Sequence, residues 1–219
     1  PIPDTIEWRH ETQWPGTVKV CMLFHDILVA NFRLQRILIM AGLTVPGHPF
    51  QYAWLVPDLD SAIDYWANIV GVGPFFITEV DSLTTEGFQY RGGEGNLQMR
   101  VAWGQGKEGQ IELIEVTSSD PNIYHDLIEP GKTGLHHIGV WSDDYPGDVQ
   151  FLKDQGFEVA MDMGVTMNIC YFDTSARNGA MLEVIERTDA RVGLFGLIAQ
   201  AAKNWDGSNP SRSVTELMG

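Results

Sequence analysis

One short stretch of this chain occurs twice, and it constrains the fold more than any other feature of the sequence. Residues 111–115 read Ile-Glu-Leu-Ile-Glu and residues 182–186 read Leu-Glu-Val-Ile-Glu. Because successive side chains of a strand point to opposite faces, the two glutamates of each copy face opposite ways. Glu112 and Glu183 therefore share a face with aliphatic side chains, where a carboxylate is costly to bury unless a cation or a hydrogen-bonding partner compensates.

The segments around these two strands repeat in the same order. The first half predicts a strand, a helix and three more strands, at residues 50–57, 58–70, 74–80, 98–103 and 110–116. The second half predicts the same series at residues 136–141, 144–155, 157–161, 168–173 and 180–185. Asp58 or Asp60 is expected to cap the first helix, and Gly71 and Gly156 are expected to end the two helices.

This repeat predicts an α+β fold in which two tandem βαβββ modules form one curved mixed sheet around an inward-facing site. The expected parts are an N-terminal extension, helical or poorly ordered, a first module, a connection, a second module, and a C-terminal helix with its tail, at residues 1–46, 47–117, 118–134, 135–188 and 189–219. We expect the C-terminal helix to cover the site or to bind a second subunit, and residues 205–219 to be loosely ordered. Met40 is a candidate for the natural start of the chain.

Charge and composition exclude several functions. The chain has 14 basic and 29 acidic residues, for a formal charge of −15, which disfavours binding to nucleic acids and to anionic membrane surfaces. The apolar run at residues 18–43 is interrupted by charged residues well before the roughly 18 residues that a membrane span needs. Cys21 and Cys170 form neither a disulfide framework nor a zinc motif. We therefore expect a soluble protein of the cytoplasm.

Alignment of the two halves selects four equivalent polar positions. Gln51 falls on His137 at the start of each module, and Glu112 falls on Glu183 in each last strand. One imidazole, two carboxylates and one amide oxygen suit a divalent ion such as Zn, Ni, Co, Mn or Mg. Alternatively, the acids reach solvent at strand ends, His137 is a core histidine, Gln51 bonds backbone or substrate, and His48 replaces Gln51 if the register slips.

Several neighbouring residues receive other predictions. Glu115 and Glu186 are expected to be exposed acids at strand ends. His136 is expected to point to the reverse face and to be structural. Tyr171 and Trp141 are expected to line the pocket and to bind substrate, although aromatic residues of this kind are more often part of a core.

These motifs together resemble the vicinal oxygen chelate superfamily, and most closely its glyoxalase-like and methylmalonyl-CoA-epimerase-like branch. The resemblance covers about residues 48–188 and rests on Gln51 followed by Val-Pro-Asp-Leu-Asp-Ser-Ala-Ile-Asp-Tyr-Trp, Gly-Val-Gly-Pro-Phe-Phe, Ile-Glu-Leu-Ile-Glu, Gly-Leu-His-His-Ile-Gly-Val and Met-Leu-Glu-Val-Ile-Glu. It implies a metal held at the positions of Gln51, Glu112, His137 and Glu183. It also implies a homodimer.

The resemblance further implies a metal-dependent isomerase or lyase that transfers a proton next to the carbonyl group of a small molecule, with Glu183 as the first choice of base and Glu112 as the second. A metal-dependent dioxygenase is less well supported, because the position of Gln51 lacks the histidine of the iron-dependent members. The alternative from another class is a protein on the same fold that binds or sequesters a small molecule. A coenzyme A thioester would require a basic patch, and the candidate cations are scattered along the chain: Arg91, Arg100, Lys107 and Lys132.

Overall fold

The computed structural model describes residues 42–43 and 49–218. The predicted N-terminal extension, apart from residues 42–43, lies outside these residues, and so do the predictions for Met40 and His48. No helix in the described part of the chain is both long and apolar enough to cross a membrane.

Ten strands form a single mixed sheet in the order β10-β2-β4-β5-β1-β6-β9-β8-β7-β3. Their bounds are β1 Pro49–Leu55, β2 Phe75–Asp81, β3 Gln89–Tyr90, β4 Gln98–Gln105, β5 Gln110–Val116, β6 Gly134–Ser142, β7 Val159–Asp162, β8 Ile169–Phe172, β9 Met181–Glu186 and β10 Ser211–Ser213. The described helices are α1 Leu59–Tyr65, α2 Ile123–Leu127, α3 Tyr145–Asp154, α4 Ser175–Asn178 and α5 Asp189–Lys203. The predicted α+β fold is confirmed.

The internal repeat extends to the pairing of individual residues. In each half the first strand runs parallel to the last, β1 with β5 and β6 with β9, and the two halves join through the antiparallel pair β1–β6. Ala53 lies beside Glu112 in the first half, and Gly139 lies beside Glu183 in the second. Glu112 and Glu183 therefore lie on central strands, one on either side of the join.

The helices begin and end at the residues that the sequence marks. Asp58 caps α1 by accepting a hydrogen bond from Ser61 N at 2.7 Å. Helix α1 continues as a π-helical turn, Trp66–Val70, and stops at Gly71, whose φ of 81° is costly for other residues. In the second half Asp144 caps α3, and Gly156 adopts the same φ of 81° soon after its end.

Helices α1 and α3 each cover one half of the sheet's outer face. Leu59 and Ile63 of α1 pack on Leu113, while Leu152 of α3 packs on Phe172. A third apolar cluster draws residues from both halves, with Val101 and Ile114 from the first and Tyr171 from the second. The two modules therefore share one interior on the face that carries the repeated acids.

Both edges of the sheet are formed by strands that the sequence did not predict. Strand β3, from the connection inside the first half, pairs with β7, and β10, from the tail, pairs with β2. For the described residues 205–218, the prediction that residues 205–219 are loosely ordered was therefore wrong. Phe75 N donates to Pro210 O at 2.7 Å, and the ring of Trp205 packs so closely on Gly73 that a Cβ there would lie 2.8 Å from it.

Candidate metal centre

Three of the four predicted donors meet at the join between the two halves. His137 Nε2 lies 3.0 Å from Glu112 Oε2 and 3.3 Å from Glu183 Oε2. One ligand atom of each residue lies within 4.8 Å of the others, and all three side chains are buried. Within the described residues this is the one group of three or more His, Cys, Asp or Glu side chains placed to hold a metal ion.

Gln51 adds a fourth donor to this group. Its Nε2 donates to Gln110 Oε1 at 2.6 Å, which leaves the amide oxygen free. A Cβ at Gly139 would lie 2.9 Å from Gln51 Oε1 and 3.2 Å from Glu183 Oε2. The amide oxygen and the carboxylate therefore approach the same point of the backbone, and a residue without a side chain is needed there.

The four side chains each direct one unsatisfied atom inward. Among the residues that the structure describes, no hydrogen-bond partner is found for Gln51 Oε1, Glu112 Oε2, His137 Nε2 or Glu183 Oε2. The approaches of His137 to the two carboxylates are close but are not aligned as hydrogen bonds. A buried polar atom without a partner costs about 1–3 kcal/mol. A divalent ion that prefers nitrogen and oxygen ligands would satisfy all four atoms, so the donor set fits the implied metal.

Each glutamate is held by an aromatic residue on the neighbouring antiparallel strand. Trp103 Nε1 donates to Glu112 Oε1 at 2.8 Å, and the Tyr171 hydroxyl donates to Glu183 Oε1. Each donor lies directly opposite its acid in the sheet. One oxygen of each carboxylate is therefore fixed and the other is free to face the centre, as is common for residues around a metal. Trp103 was not predicted, although it occupies the place in β4 that Tyr171 occupies in β8.

His136 does not point to the reverse face as predicted. Ala53 pairs with His137 and Trp54 with Leu135, so His136 is the extra residue of a β-bulge. The bulge brings His136 Nδ1 to 3.0 Å from His137 Nδ1, while His136 Nε2 lies 3.1 Å from the Ile123 carbonyl oxygen.

This contact sets the orientation of the His137 ring. Because a carbonyl only accepts, His136 Nε2 carries the hydrogen, and burial lowers the pKa of His136 well below its ordinary value, so that the ring is neutral. His136 Nδ1 then accepts a hydrogen bond from His137 Nδ1. The Nε2 atom of His137 is left to face the two carboxylates.

The electrostatics of the centre favour a positive charge. Burial raises the pKa of Glu112, although His137 opposes the shift. Burial by itself lowers the pKa of His137, but the charges of Glu183 and Glu112 raise it to about 9. Burial also raises the pKa of Tyr171 well above its ordinary value, which keeps its hydroxyl protonated and able to donate. A proton or a metal ion compensates the two buried carboxylates.

A cavity of about 290 Å³ opens onto three of the four donor residues. Its walls are mostly apolar and comprise Val80, Met99, Val101, Met163, Met167, Ile169, Ile185, Leu194 and Phe195. Gln51, Glu112, Glu183 and Tyr171 line it as well, so Tyr171 lies where the sequence predicted. Helix α5 lines the cavity through Arg191, Leu194 and Phe195. This agrees with one of its two predicted roles, that of covering the site.

Three other predictions need correction. The described residues that line this cavity do not include Trp141, whose ring stacks on Phe50 at 4.1 Å in a neighbouring cleft. Glu115 and Glu186 are only partly exposed, and each has a partner: Arg100 Nη1 donates to Glu115 at 2.9 Å and Asn168 Nδ2 to Glu186 at 2.9 Å. Trp141 lies outside the cavity because it is four residues after His137 on β6, beyond the donors.

The fold and the donor set define a class of protein built from paired βαβββ modules around a shared centre. Residues 50–171 match the family model described as the Glyoxalase/Bleomycin resistance protein/Dioxygenase superfamily. The chain belongs to this superfamily, which is the vicinal oxygen chelate superfamily that its motifs resemble.

Comparison with solved structures gives distant similarities. A hypothetical protein BH1468 from Bacillus halodurans C-125 is 14% identical, with 65% of this chain and 95% of that chain covered and a TM-score of 0.49. Methylmalonyl-CoA epimerase from Mycobacterium tuberculosis is 18% identical, with 66% and 90% covered and a TM-score of 0.44. A variant of the Streptomyces coelicolor methylmalonyl-CoA epimerase in complex with 2-nitronate-propionyl-CoA is 20% identical, with 67% and 99% covered and a TM-score of 0.45.

Similarities at this distance carry no argument about what the chain does. Comparison with curated proteins finds no match.

Proposed function

We propose that this protein is a metal-dependent isomerase or lyase that transfers a proton next to a carbonyl group of a small-molecule substrate. The observation that carries the proposal is the set of four buried donor atoms without hydrogen-bond partners among the described residues, on four side chains of which three, Gln51, Glu112 and Glu183, line an apolar cavity. Buried polar atoms are normally satisfied, and unsatisfied ones at a cavity are typical of a functional site.

The proposed ligands are Gln51, Glu112, His137 and Glu183, two from each module. Their chemistry suits Zn, Ni, Co, Mn or Mg. When bound, such an ion supplies a Lewis acid that polarises the substrate's carbonyl group and stabilises the negative charge that develops on its oxygen.

Glu183 is the proposed base. Its Oε2 faces the centre and the residue lines the cavity, while the Tyr171 hydroxyl holds its other oxygen in place. In the reaction the carboxylate takes a proton from the carbon next to the carbonyl, the electrons of that C–H bond move towards the carbonyl oxygen, and the proton is then returned to carbon. Glu112 is the second choice, because its Oε2 lies closer to His137 Nε2 and is better placed to remain a ligand.

The cavity walls support this chemistry. An apolar cavity limits the number of water molecules beside the base, and hydrogen bonds and charges act more strongly where water is scarce. Trp103 and His136 hold Glu112 and His137 in position without a place of their own in the proton transfer.

Solvent deuterium exchange tests the proposal directly. Protein loaded in turn with each of the five metals is mixed with small carbonyl compounds in D₂O, and loss of the proton next to the carbonyl is followed by NMR. We expect exchange with at least one metal. Glu183→Gln should lower its rate by about 10²–10⁴-fold, because it keeps the shape of the side chain but removes the base.

Glu186→Gln is the matched control, since it makes the same change three residues later on the same strand and away from the centre. It should leave the exchange rate unchanged. Full exchange in Glu183→Gln would refute the assignment of the base. A protein without stoichiometric metal and without affinity for added divalent ions would refute the enzyme and favour the alternative, a protein that binds or sequesters a small molecule.

The homodimer that the resemblance implies is part of the same proposal. Light scattering of the purified protein measures its mass in solution. A mass of twice that of the chain supports the dimer, and a mass equal to that of the chain contradicts it.

A further inference from the structure

One cation lines the cavity. Arg191, in the first turns of α5, is the only Lys or Arg among the described residues that contact this space. The walls around it are apolar, and the two carboxylates of the centre form no ion pair with it. A permanent positive charge at this place is therefore a feature that the metal centre does not use.

The hydrogen bonds of Arg191 leave much of its guanidinium free. Nη1 donates to Glu186 O at 2.8 Å and Nη2 donates to Met167 O. Both partners are neutral carbonyl groups, and no carboxylate within the described part of the chain pairs with this arginine. A guanidinium carries five N–H donors, so three remain for a ligand.

Arg91 and Arg100 have a different environment. Arg91 pairs with Asp126 at 2.8 Å and with Asp173 at 3.2 Å. Arg100 pairs with Asp60 at 3.1 Å and with Glu115 at 2.9 Å. With a formal charge of −15 the protein supplies acidic partners in abundance, yet Arg191 faces the cavity without one.

We propose that Arg191 determines substrate specificity by pairing with a carboxylate of the substrate. The substrate class is a small carbonyl compound with an apolar body and a carboxylate at the end remote from the reacting carbonyl. An arginine binds a carboxylate through two parallel N–H···O bonds, and the apolar walls strengthen that pairing. The inference rests on the proposed function, because the opposite end of the same molecule would occupy the metal centre.

The place of Arg191 in the chain agrees with a role in specificity. Helix α5 lies after residue 171, where the match to the family model ends. Leu194 and Phe195 of the same helix face the apolar part of the cavity. One helix thus supplies both the charge and part of the apolar wall that a substrate of this class would contact.

The test uses protein loaded with Co²⁺ and probes that chelate a metal through a hydroxamate. The monohydroxamates of succinic and glutaric acid carry a remote carboxylate, and the matched amides carry none. Binding is followed by the visible absorption of Co²⁺, without any need for turnover. We expect at least one acid to bind about 10- to 100-fold more tightly than its amide.

Variants assign the preference to Arg191. Arg191→Gln keeps N–H groups for the carbonyls but removes the charge, and it should abolish the preference for the acid. Arg191→Lys keeps the charge and should retain part of it. Arg187→Gln is the control, because Arg187 lies outside the cavity and pairs with Asp143 at 3.6 Å, and it should leave the preference unchanged.

The outcomes separate this inference from the proposed function. Equal binding of acids and amides by the wild-type protein would overturn the role of Arg191 and would leave the proposed metal centre unaffected. Failure to bind Co²⁺, or a Co²⁺ spectrum that none of the hydroxamates alters, would overturn the proposed function. If circular dichroism reveals that Arg191→Gln does not fold, Arg191→Met takes its place, and a preference that persists in either variant would overturn the inference.

Discussion

The two halves of the sheet have the same strand order and pairing but different chemistry at equivalent positions. Each half contributes one glutamate whose Oε1 atom accepts a hydrogen bond from a side chain on the neighbouring strand. The first donor of each half is an amide in the first half and an imidazole in the second. The side chain that holds the glutamate is an indole in the first half and a phenol in the second. The positions that are equivalent in the two halves are Gln51 and His137, Ala53 and Gly139, and Trp103 and Tyr171.

This difference indicates that the repeated fold sets the positions of the donors, while the residue types of each half set their chemistry. The second half supplies His137, the stronger donor of the proposed ligand set, and Glu183, the proposed base. The first half supplies the weaker amide, and it also supplies β3, which covers the far edge of the second half at β7. Substituting equivalent residues in the two halves, and comparing the effects on metal affinity and on exchange rate, therefore tests how much each half contributes.

The largest expected effect is at the first position of the set. His137→Ala should lower the affinity for Zn²⁺ by more than about 100-fold, because it removes the imidazole ligand, whereas loss of an outer partner costs about 10–100-fold. Gln51→Ala should cost on the order of 10-fold, since an amide oxygen is a weak donor. Competition with a chromophoric chelator measures both values. Equal losses in the two variants would mean that the halves contribute equally.

The residues that hold the carboxylates come next. Tyr171→Phe and Trp103→Phe each remove one hydrogen bond to a proposed ligand, and each should lower metal affinity by about 10–100-fold. Only Tyr171→Phe should also slow deuterium exchange in the metal-saturated protein, because only Glu183 is the proposed base. A comparable slowing in metal-saturated Trp103→Phe would favour Glu112 as the base.

A smaller effect is expected at the residue beside each acid. Gly139→Ala should lower metal affinity by about 10-fold, as the new Cβ would displace Gln51 Oε1 and Glu183 Oε2 from 2.9 and 3.2 Å. The equivalent change in reverse, Ala53→Gly, should leave metal affinity unchanged and cost about 1 kcal/mol in the free energy of unfolding. Calorimetric titration and urea unfolding measure the two quantities. Unchanged affinity in Gly139→Ala would place the amide oxygen outside the ligand set.

The smallest effect concerns a buried thiol of the second half. Burial raises the pKa of Cys170 to about 12. Because the thiolate is the reactive form, only about one molecule in ten thousand carries it at pH 8. In a Cys21→Ser background Cys170 should not react with a thiol reagent at pH 8 in the folded state, and it should react at once in urea. Rapid reaction of the folded protein would mean that β8 opens readily.

Much of this architecture follows from the sequence, because residue type and periodicity report it locally. Asp58, Gly71 and Gly156 mark helix ends through their own backbone preferences. The equivalence of Gln51 and His137 follows from the repeat of whole strands, since one face of each strand must be buried and the register is thereby fixed.

The features that escaped prediction depend on contacts between distant segments. Strands β3 and β10 are short and largely polar, and only the open edges of β7 and β2 make them strands. The bulge at His136 shifts the register by one residue and leaves no mark in the pattern of apolar residues. Arg191 lies on a helix whose place over the cavity is set by packing and not by its own composition.

X-ray absorption spectroscopy of Zn²⁺-loaded protein tests whether the two halves complete one metal centre. We expect one Zn²⁺ per chain with only nitrogen and oxygen ligands at about 2.0–2.2 Å and the scattering of a single imidazole, which disappears in His137→Ala. Sulfur ligation, scattering from two or more imidazoles, or an unchanged spectrum in His137→Ala would contradict this expectation.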